Sequence, residues 1–280
     1  DPASLSLANT TVSGNRATHG GGLNNHAYDG AASAVITGST ISGNNAVNGG
    51  GVSNRAAYYA ELGTQAALTI VGSTISGNIA SSTGGGIHSQ ATTQSAATLS
   101  ISNSTIAQNT AAGGTGGGVH VIDSPGTGTT LSSVLVGQNS AVGSGQDLSI
   151  ASLSASYTLV ETSNGHGLVH GTNGNQVGVD ALLVDLADNG GLTLTHAVGF
   201  DSPVVDQGAN PNGFYGDQRG SGFARTVDDG AVVNASDGTD VGAIEMGQVG
   251  ALYDFGDAPE SIIVGGIERV YPTQLASDGA

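Results

Sequence analysis

An acidic loop near the end of the chain holds the side chains best suited to binding a metal. The loop contains Asp228, Asp229, Asp237 and Asp240. Gly230 and Gly238 lie between them, and Ca²⁺ takes about six to eight oxygen ligands in flexible loops of this kind. Clustered carboxylates also repel one another unless a cation neutralises them. We therefore expect a weak to moderate Ca²⁺ site here, and the alternative is a solvated acidic loop without metal.

Two histidines, His88 and His120, are a second candidate for metal binding. Each stands two residues after a Gly-Gly-Gly triplet, and Asn24 and Ser53 take the same position after two other triplets. A position that accepts Asn, Ser and His is typical of a polar column on an outward face rather than of a metal pair. We expect the outward polar column.

The sequence offers few side chains that could act as catalytic acids or bases. Proton abstraction beside a carboxylate needs Arg or Lys, and Arg16 and Arg55 are the only basic residues before residue 200. Glycoside hydrolysis needs two carboxylates about 5 to 9.5 Å apart. The Asn-Gly-His-Gly sequence around His166 is similar to an element of polygalacturonases, but Asp147 is the only acidic residue between 124 and 160. We expect no enzymatic activity, with a polysaccharide lyase or hydrolase as the alternative.

The first half of the chain consists of five copies of one pattern. Each copy holds three short apolar segments and a turn of the Ser-Gly-Asn type, with no helical spacing. The asparagines of these turns are Asn15, Asn44, Asn78, Asn109 and Asn139, at spacings of 29, 34, 31 and 30 residues. One copy predicts one turn, so we expect an all-β, right-handed parallel β-helix with three strands per turn of about thirty residues.

Stacking of turns gives the shared asparagines a structural role. A carboxamide can donate to one neighbour and accept from another, so these side chains should form a hydrogen-bonded ladder at one corner. Asn also tolerates the left-handed backbone of a tight corner. The glycine triplets mark a second, opposite corner, where positive φ favours Gly.

The longest connections fall between the third strand of one copy and the first strand of the next. They span residues 24–34, 54–67, 90–98 and 122–130. In a solenoid they project from one edge, which often forms the binding face. Tyr28, Arg55, Tyr58 and Tyr59 lie there as binding candidates. Exposed Tyr stacks on sugars or anchors proteins, and the alternative is that these rings cover apolar surface of their own loops.

The charge of the chain excludes some partners. Its formal net charge is −17, and it contains no Cys and only five basic residues. Such a surface repels phosphate backbones and anionic headgroups, so nucleic acid is a poor partner. No apolar run approaches the roughly 18 residues that span a bilayer, so we expect no membrane insertion.

Four segments after the repeats carry a family resemblance. They are LADNGGLTLTH from Leu186, SPVVDQGAN from Ser202, GDQRGSGFART from Gly216 and DVGAIE from Asp240. Together with the repeats they resemble the C-terminal part of the choice-of-anchor Q proteins, exported bacterial β-helix proteins related in fold to pectate lyases. The resemblance spans roughly residues 1–247 and implies this fold and secretion to the surface of a bacterium.

The domain organisation follows from these boundaries. We expect β-helix repeats over residues 1–185, an acidic C-terminal cap over 186–250 and a linker, partial module or docking strand over 251–280. The segment LYDFGDAPES from Leu252 resembles the opening of a DFGDAP-type extracellular β module. The side chains expected to mediate assembly through this tail are Tyr253, Phe255, Ile262, Ile263, Val264 and Ile267.

The function expected from these features is structural or adhesive. We expect a secreted rod that serves as a surface, matrix or fibre subunit and binds an extracellular protein, a glycan or further copies of itself. A polysaccharide-active enzyme and a pure glycan-binding module are the alternatives.

Overall fold

The computed structural model describes residues 2–57, 64–92, 94–122, 127–199 and 201–247, and the backbone of 261–264 and 267–270. Residues 1–247 form one compact unit and residues 248–280 form a second. Four of the predicted binding and assembly residues lie outside the described residues: Tyr58, Tyr59, Tyr253 and Phe255. Within the described ranges, none of the helices has the length and apolar character to cross a membrane.

The first unit is a parallel β-helix of about five turns, as the repeat predicts. Sheet 1 contains Ala3–Ala8, Ala31–Thr37, Gln65–Val71, Ala96–Ser102, Gly128–Ser132 and Leu153–Ser156. Sheet 2 contains Thr11–Ser13, Thr40–Ser42, Thr74–Ser76, Thr105–Ala107, Leu135–Gly137, Leu159–Val160 and Gln176–Val177. Sheet 3 contains Asn45–Ala46, Ile79–Ala80, Thr110–Ala111 and Ser140–Ala141. Sheet 4 contains Leu23–Ala27, Val52–Ala56, Ile87–Ala91, Val119–Ile122 and Leu148–Ser149.

Sheet 3 is an addition to the three strands expected in each turn. Its strands are two residues long and follow the Ser-Gly-Asn corner, where each pairs in parallel with the same segment of the next turn. A two-residue strand is too short to show the alternation of apolar and polar residues by which strands are recognised. The sequence therefore predicts the other three sheets and leaves this one out.

The core runs through the centre of the turns as stacked columns of apolar side chains. In sheet 1, Ile36 pairs with Ile70, Ile70 with Ile101, and Ile101 with Leu131. These four side chains are buried, whereas Val35 faces outward and is 39% exposed. Each buried Ile or Leu side chain stabilises the fold by about 1.5–3 kcal/mol. A smaller column of alanines lies beneath the loop edge: Ala27, Ala32, Ala56, Ala66, Ala91 and Ala97.

After the last turn the chain returns along the outside of sheet 2. We call residues 181–247 the lateral segment. The Gln218 side chain donates to Thr40 and accepts from Thr74, two outward residues of sheet 2, at 2.9 and 2.6 Å. The amide of Ala243 donates to Thr105 at 3.0 Å. The described part of the expected acidic cap thus belongs to a segment that lies against the side of the stack, across several turns.

The second unit contains one hairpin among its described residues. Ser261–Val264 pairs antiparallel with Ile267–Val270, so the backbone of Ile262, Ile263, Val264 and Ile267 lies in two short strands. This pairing differs from the parallel pairing of the turns.

Candidate functional site

The five shared asparagines form the predicted ladder. The Asn44 amide nitrogen donates to Asn78 Oδ1 at 3.0 Å, and that of Asn78 donates to Asn109 Oδ1 at 2.9 Å. Asn15 donates to Asn44 at 3.1 Å and Asn109 to Asn139 at 3.0 Å. From Asn44 to Asn139, each Oδ1 also accepts the backbone N–H of the asparagine in the preceding turn. The ladder therefore ties both side chain and backbone of each corner to the next turn.

The ladder ends on a carboxylate. Asn139 Nδ2 donates to Asp147 Oδ1 at 2.9 Å, and the other Asp147 oxygen accepts the backbone N–H of Thr162 at 2.8 Å. Asp147 is buried, and burial raises its pKa while these hydrogen bonds act in the opposite direction. The only acidic residue between 124 and 160 is thus part of the structural ladder.

Glycines surround the ladder for two reasons. The residue before each ladder asparagine adopts φ between 55° and 68°: Gly14, Gly43, Gly77, Gln108 and Gln138. The left-handed residue of this corner is therefore the one before the asparagine, not the asparagine itself as expected. A Cβ on Gly51, the last glycine of a triplet, would lie 2.9 Å from Asn78 Nδ2. The triplets thus lie against the ladder, where no side chain fits.

His88 and His120 lie in the predicted column. His88 pairs with His120 and with Ser53 on the adjacent strands of sheet 4, and Asn24 pairs with Ser53. The two imidazole rings stack with centroids 5.4 Å apart, and each Nδ1 lies 3.1 Å from a Thr hydroxyl of its own turn. Although its strand position faces outward, His88 is only 3% exposed, and burial lowers its pKa to about 4.

The loop edge brings two predicted binding residues close together. Tyr28 is 52% exposed and packs edge-on against His26, with ring centroids 6.0 Å apart. His26 pairs in register with Arg55 on the next strand. Burial and then the positive charge of Arg55 lower the pKa of His26. Tyr28, His26 and Arg55 therefore form an aromatic and basic group at this edge, which we call the edge group.

The surroundings of His166 do not resemble an acid–base pair. Its Nε2 lies 2.9 Å from the Thr162 carbonyl, and its Nδ1 accepts the Leu168 N–H at 3.2 Å. The nearby Glu161 accepts backbone N–H groups of Gln138 and Ala181 at 2.7 and 3.0 Å. Burial raises the pKa of Glu161. Both side chains are thus engaged by backbone groups.

The predicted Ca²⁺ ligands separate into two sets. Asp228 and Asp237 are exposed, and Asp229 is partly buried. They bind groups of the surrounding loops: Asp228 accepts from Asn234, Asp229 from Ala231, and Asp237 from Asn210 and Thr239. Asp240 instead lies with Asp206 and Glu245 in a buried group, which we call the carboxylate cluster. It is the one group of three or more such ligands among the described residues, with ligand atoms within 4.8 Å of one another.

Backbone groups hold this cluster in place. Asp206 N donates to Asp240 Oδ1 at 2.8 Å, and Asp240 N donates to Glu245 Oε2 at 3.1 Å. Burial raises the pKa of Asp240 to about 6 and that of Glu245 to about 8. Asp206 and Glu245 were missed as ligand candidates because they lie outside the acidic loop. Both stand in the segments SPVVDQGAN and DVGAIE, which carry the family resemblance.

Two arginines accompany the carboxylates. Arg225 is completely buried and donates to the Asp240 carbonyl oxygen at 2.5 Å. Burial lowers the pKa of Arg225, whereas the nearby carboxylates raise it. Arg219 pairs with Asp217 at 2.6 Å, donates to the Glu245 carbonyl at 2.7 Å, and lies 4.1 Å from the centre of the Phe223 ring. The lateral segment is therefore organised around buried charges.

No family model, curated protein or solved structure matches this chain. The β-helix is thus established by the structure alone, and the choice-of-anchor Q and DFGDAP resemblances stay predictions.

Proposed function

We propose that this chain is a non-catalytic structural or adhesive rod, secreted to the surface or matrix of a bacterium. The observation that carries this proposal is the asparagine ladder, in which the most regular polar residues of the repeat bond to one another. Repetition of this kind gives each turn the same stabilising contact, and it is built from carboxamides, which are neutral groups.

The family part of the proposal is membership of the choice-of-anchor Q type. Its support is that the motif residues meet in space although they are far apart in sequence. Asp206, Arg225, Asp240 and Glu245 come from three of the segments that carry the resemblance, and all are buried in the lateral segment. Each of these buried charged residues is hydrogen-bonded to another member of the set, which explains why such motifs occur together in fixed order.

An assay of polysaccharide turnover distinguishes the structural or adhesive function from the enzymatic alternative. Incubation of the full chain with acidic and neutral polysaccharides should yield no new reducing ends and no unsaturated products. The His166→Ala and Glu161→Gln variants provide the control, because His166 stands in the segment similar to polygalacturonases and Glu161 is the acidic residue nearest to it in sequence. Turnover by the wild type that either substitution abolishes would show that the chain is an enzyme.

The edge group supports an adhesive function. An exposed Tyr beside a His and an Arg can stack on a sugar ring or anchor a protein partner. Tyr28→Ala and Arg55→Ala should weaken binding to a panel of immobilised glycans and matrix proteins. Tyr215→Ala is a matched control, because Tyr215 is 98% exposed but lies in the lateral segment. Equal binding by all variants would exclude the edge group as the adhesive surface.

The proposed function includes assembly of several copies of the chain through the C-terminal tail. The hairpin Ser261–Val264 and Ile267–Val270 supports it, because each short strand presents an edge that another strand can extend. Deletion of residues 252–280 should abolish assembly, measured by light scattering, and leave the circular dichroism of the β-helix unchanged. Assembly of the truncated chain would rule out the tail as the contact.

A further inference from the structure

The carboxylate cluster has the composition and spacing of a cation site. Asp206, Asp240 and Glu245 are all buried, and one oxygen of each lies within 4.8 Å of one oxygen of the other two. Ca²⁺ binds oxygen at about 2.3–2.6 Å, so two ligands on opposite sides of the ion lie about 5 Å apart. The three oxygens are thus close enough to coordinate one Ca²⁺.

One oxygen of the cluster has no hydrogen-bond donor. Asp206 is fully buried, and its Oδ2 accepts the Asp229 N–H at 3.1 Å. Its Oδ1 is also enclosed but accepts no hydrogen bond from the residues that the structure describes. An enclosed carboxylate oxygen without a partner is costly, and such atoms are rare in folded proteins. A cation is a partner that suits this oxygen.

The cluster and Arg225 together leave two negative charges to be balanced, and Asp228 and Asp229 add negative charge near Asp206. The three carboxylates carry three negative charges when ionised, and Arg225 supplies one positive charge. Arg225 donates to the Asp240 carbonyl, while its Nε and Nη1 have no hydrogen-bond partner among the described residues. It therefore does not bridge the carboxylates by hydrogen bonds. Asp217 and Arg219 neutralise each other in their ion pair, so a divalent cation would balance the remainder.

We propose that Asp206, Asp240 and Glu245 hold one Ca²⁺ that fastens together the loops of the lateral segment. Mg²⁺ suits the site less well, because it requires near-octahedral geometry and usually keeps several waters. This site differs from the exposed loop expected from the sequence, since only Asp240 belongs to both. The proposal does not depend on whether the chain is adhesive.

Calorimetric titration of the full chain, first stripped of metal with EGTA, tests the site directly. CaCl₂ should bind with a stoichiometry of one and raise the melting temperature, and MgCl₂ should bind at least about tenfold more weakly. Absence of Ca²⁺ binding at millimolar concentration, or equally tight Mg²⁺ binding, would overturn the assignment.

Two variants distinguish the buried cluster from the exposed loop. Asp206→Asn should weaken Ca²⁺ binding by about tenfold or more, because it removes one ligand charge. Asp228→Asn, the matched control, should bind Ca²⁺ like the wild type, since Asp228 is exposed and bonded to Asn234. The reverse pattern, or no loss in Asp206→Asn, would contradict the proposal.

Hydrogen exchange of the wild type gives a second measurement that requires no variant, should Asp206→Asn fail to fold. Ca²⁺ should slow amide exchange in residues 204–208 and 238–246 more than in residues 228–231. Slowing confined to 228–231 would assign the ion to the exposed loop instead.

Discussion

The stacked turns and the lateral segment both bury polar groups, but with different chemistry. In the turns, neutral carboxamides and hydroxyls bond to the same type of residue about thirty positions away, as in the Asn44–Asn78 and Ser39–Ser73 contacts. The lateral segment also buries charged groups, and its one ion pair among the described residues joins two different residue types, Asp217 and Arg219. A repeated neutral contact distributes its stabilisation over many turns, whereas a unique buried charge depends on one partner.

This difference predicts how each region responds to a single substitution. Loss of one ladder residue should destabilise mainly the turns directly above and below it. Loss of one charge should leave the opposite charges buried without compensation, which is more costly than the loss of a neutral hydrogen bond.

The largest effect is expected for Arg225→Met. The substitution keeps much of the volume but, in metal-free buffer, leaves buried Asp240 and Glu245 without their nearby positive charge. We expect the free energy of unfolding to fall by about 3–5 kcal/mol, measured by urea denaturation. Arg16→Met is the control, because Arg16 is exposed, and it should change stability by less than about 0.5 kcal/mol. Similar losses in both variants would remove the distinction between the two regions.

A smaller effect is expected for Asn78→Ala. The substitution removes the acceptor of Asn44 and the donor to Asn109, so we expect a loss of about 1–3 kcal/mol in urea denaturation. Asn15→Ala, at the exposed first position of the ladder, should cost clearly less, because water replaces the lost partner. If Asn78→Ala costs more than Arg225→Met, the turns are the more sensitive region.

The smallest effect concerns pH and His88. Because its pKa is lowered from 6.5 to about 4 in the folded chain, the unfolded state binds more protons between these values. The stability that buried neutral His88 provides is therefore present above pH 6.5 and is lost as pH falls towards 4. We expect this residue to account for a loss on the order of 1–3 kcal/mol between pH 7.5 and 4.5.

His88→Asn tests this pH dependence with a residue that the column already contains at Asn24. The variant should show a shallower loss of stability on acidification in urea denaturation at the two pH values. His170→Asn is the control for the loss of one imidazole, because His170 is exposed. An unchanged slope in His88→Asn would place the acid sensitivity elsewhere, for example at the buried His196.

The sequence predicts the regions of the molecule unequally, for a physical reason. The ladder from Asn15 to Asn139 and the pairing of His88 with His120 follow from register, because equal positions in a repeat must stack. The residues of the carboxylate cluster do not belong to a repeat, so only closeness in sequence could guide the prediction of ligands. That criterion favours Asp228 and Asp229. Asp206 lies 34 residues from Asp240, and only folding of the lateral segment brings them together.

The contact between Asn139 and Asp147 gives the asparagine ladder a direction and a terminus. From Asn15 onward, each carboxamide donates one N–H to the oxygen of the asparagine in the next turn. From Asn44 onward, the same nitrogen also donates to a backbone carbonyl of the preceding turn. Asp147 receives the last of these donors, and an ionised carboxylate has no N–H with which to continue the series. A further asparagine turn inserted before Asn139 keeps the pattern of donors and acceptors, whereas a turn inserted after Asp147 meets no carboxamide donor from this residue. Gene duplication can therefore lengthen this β-helix in steps of one whole turn while Asp147 continues to end the ladder.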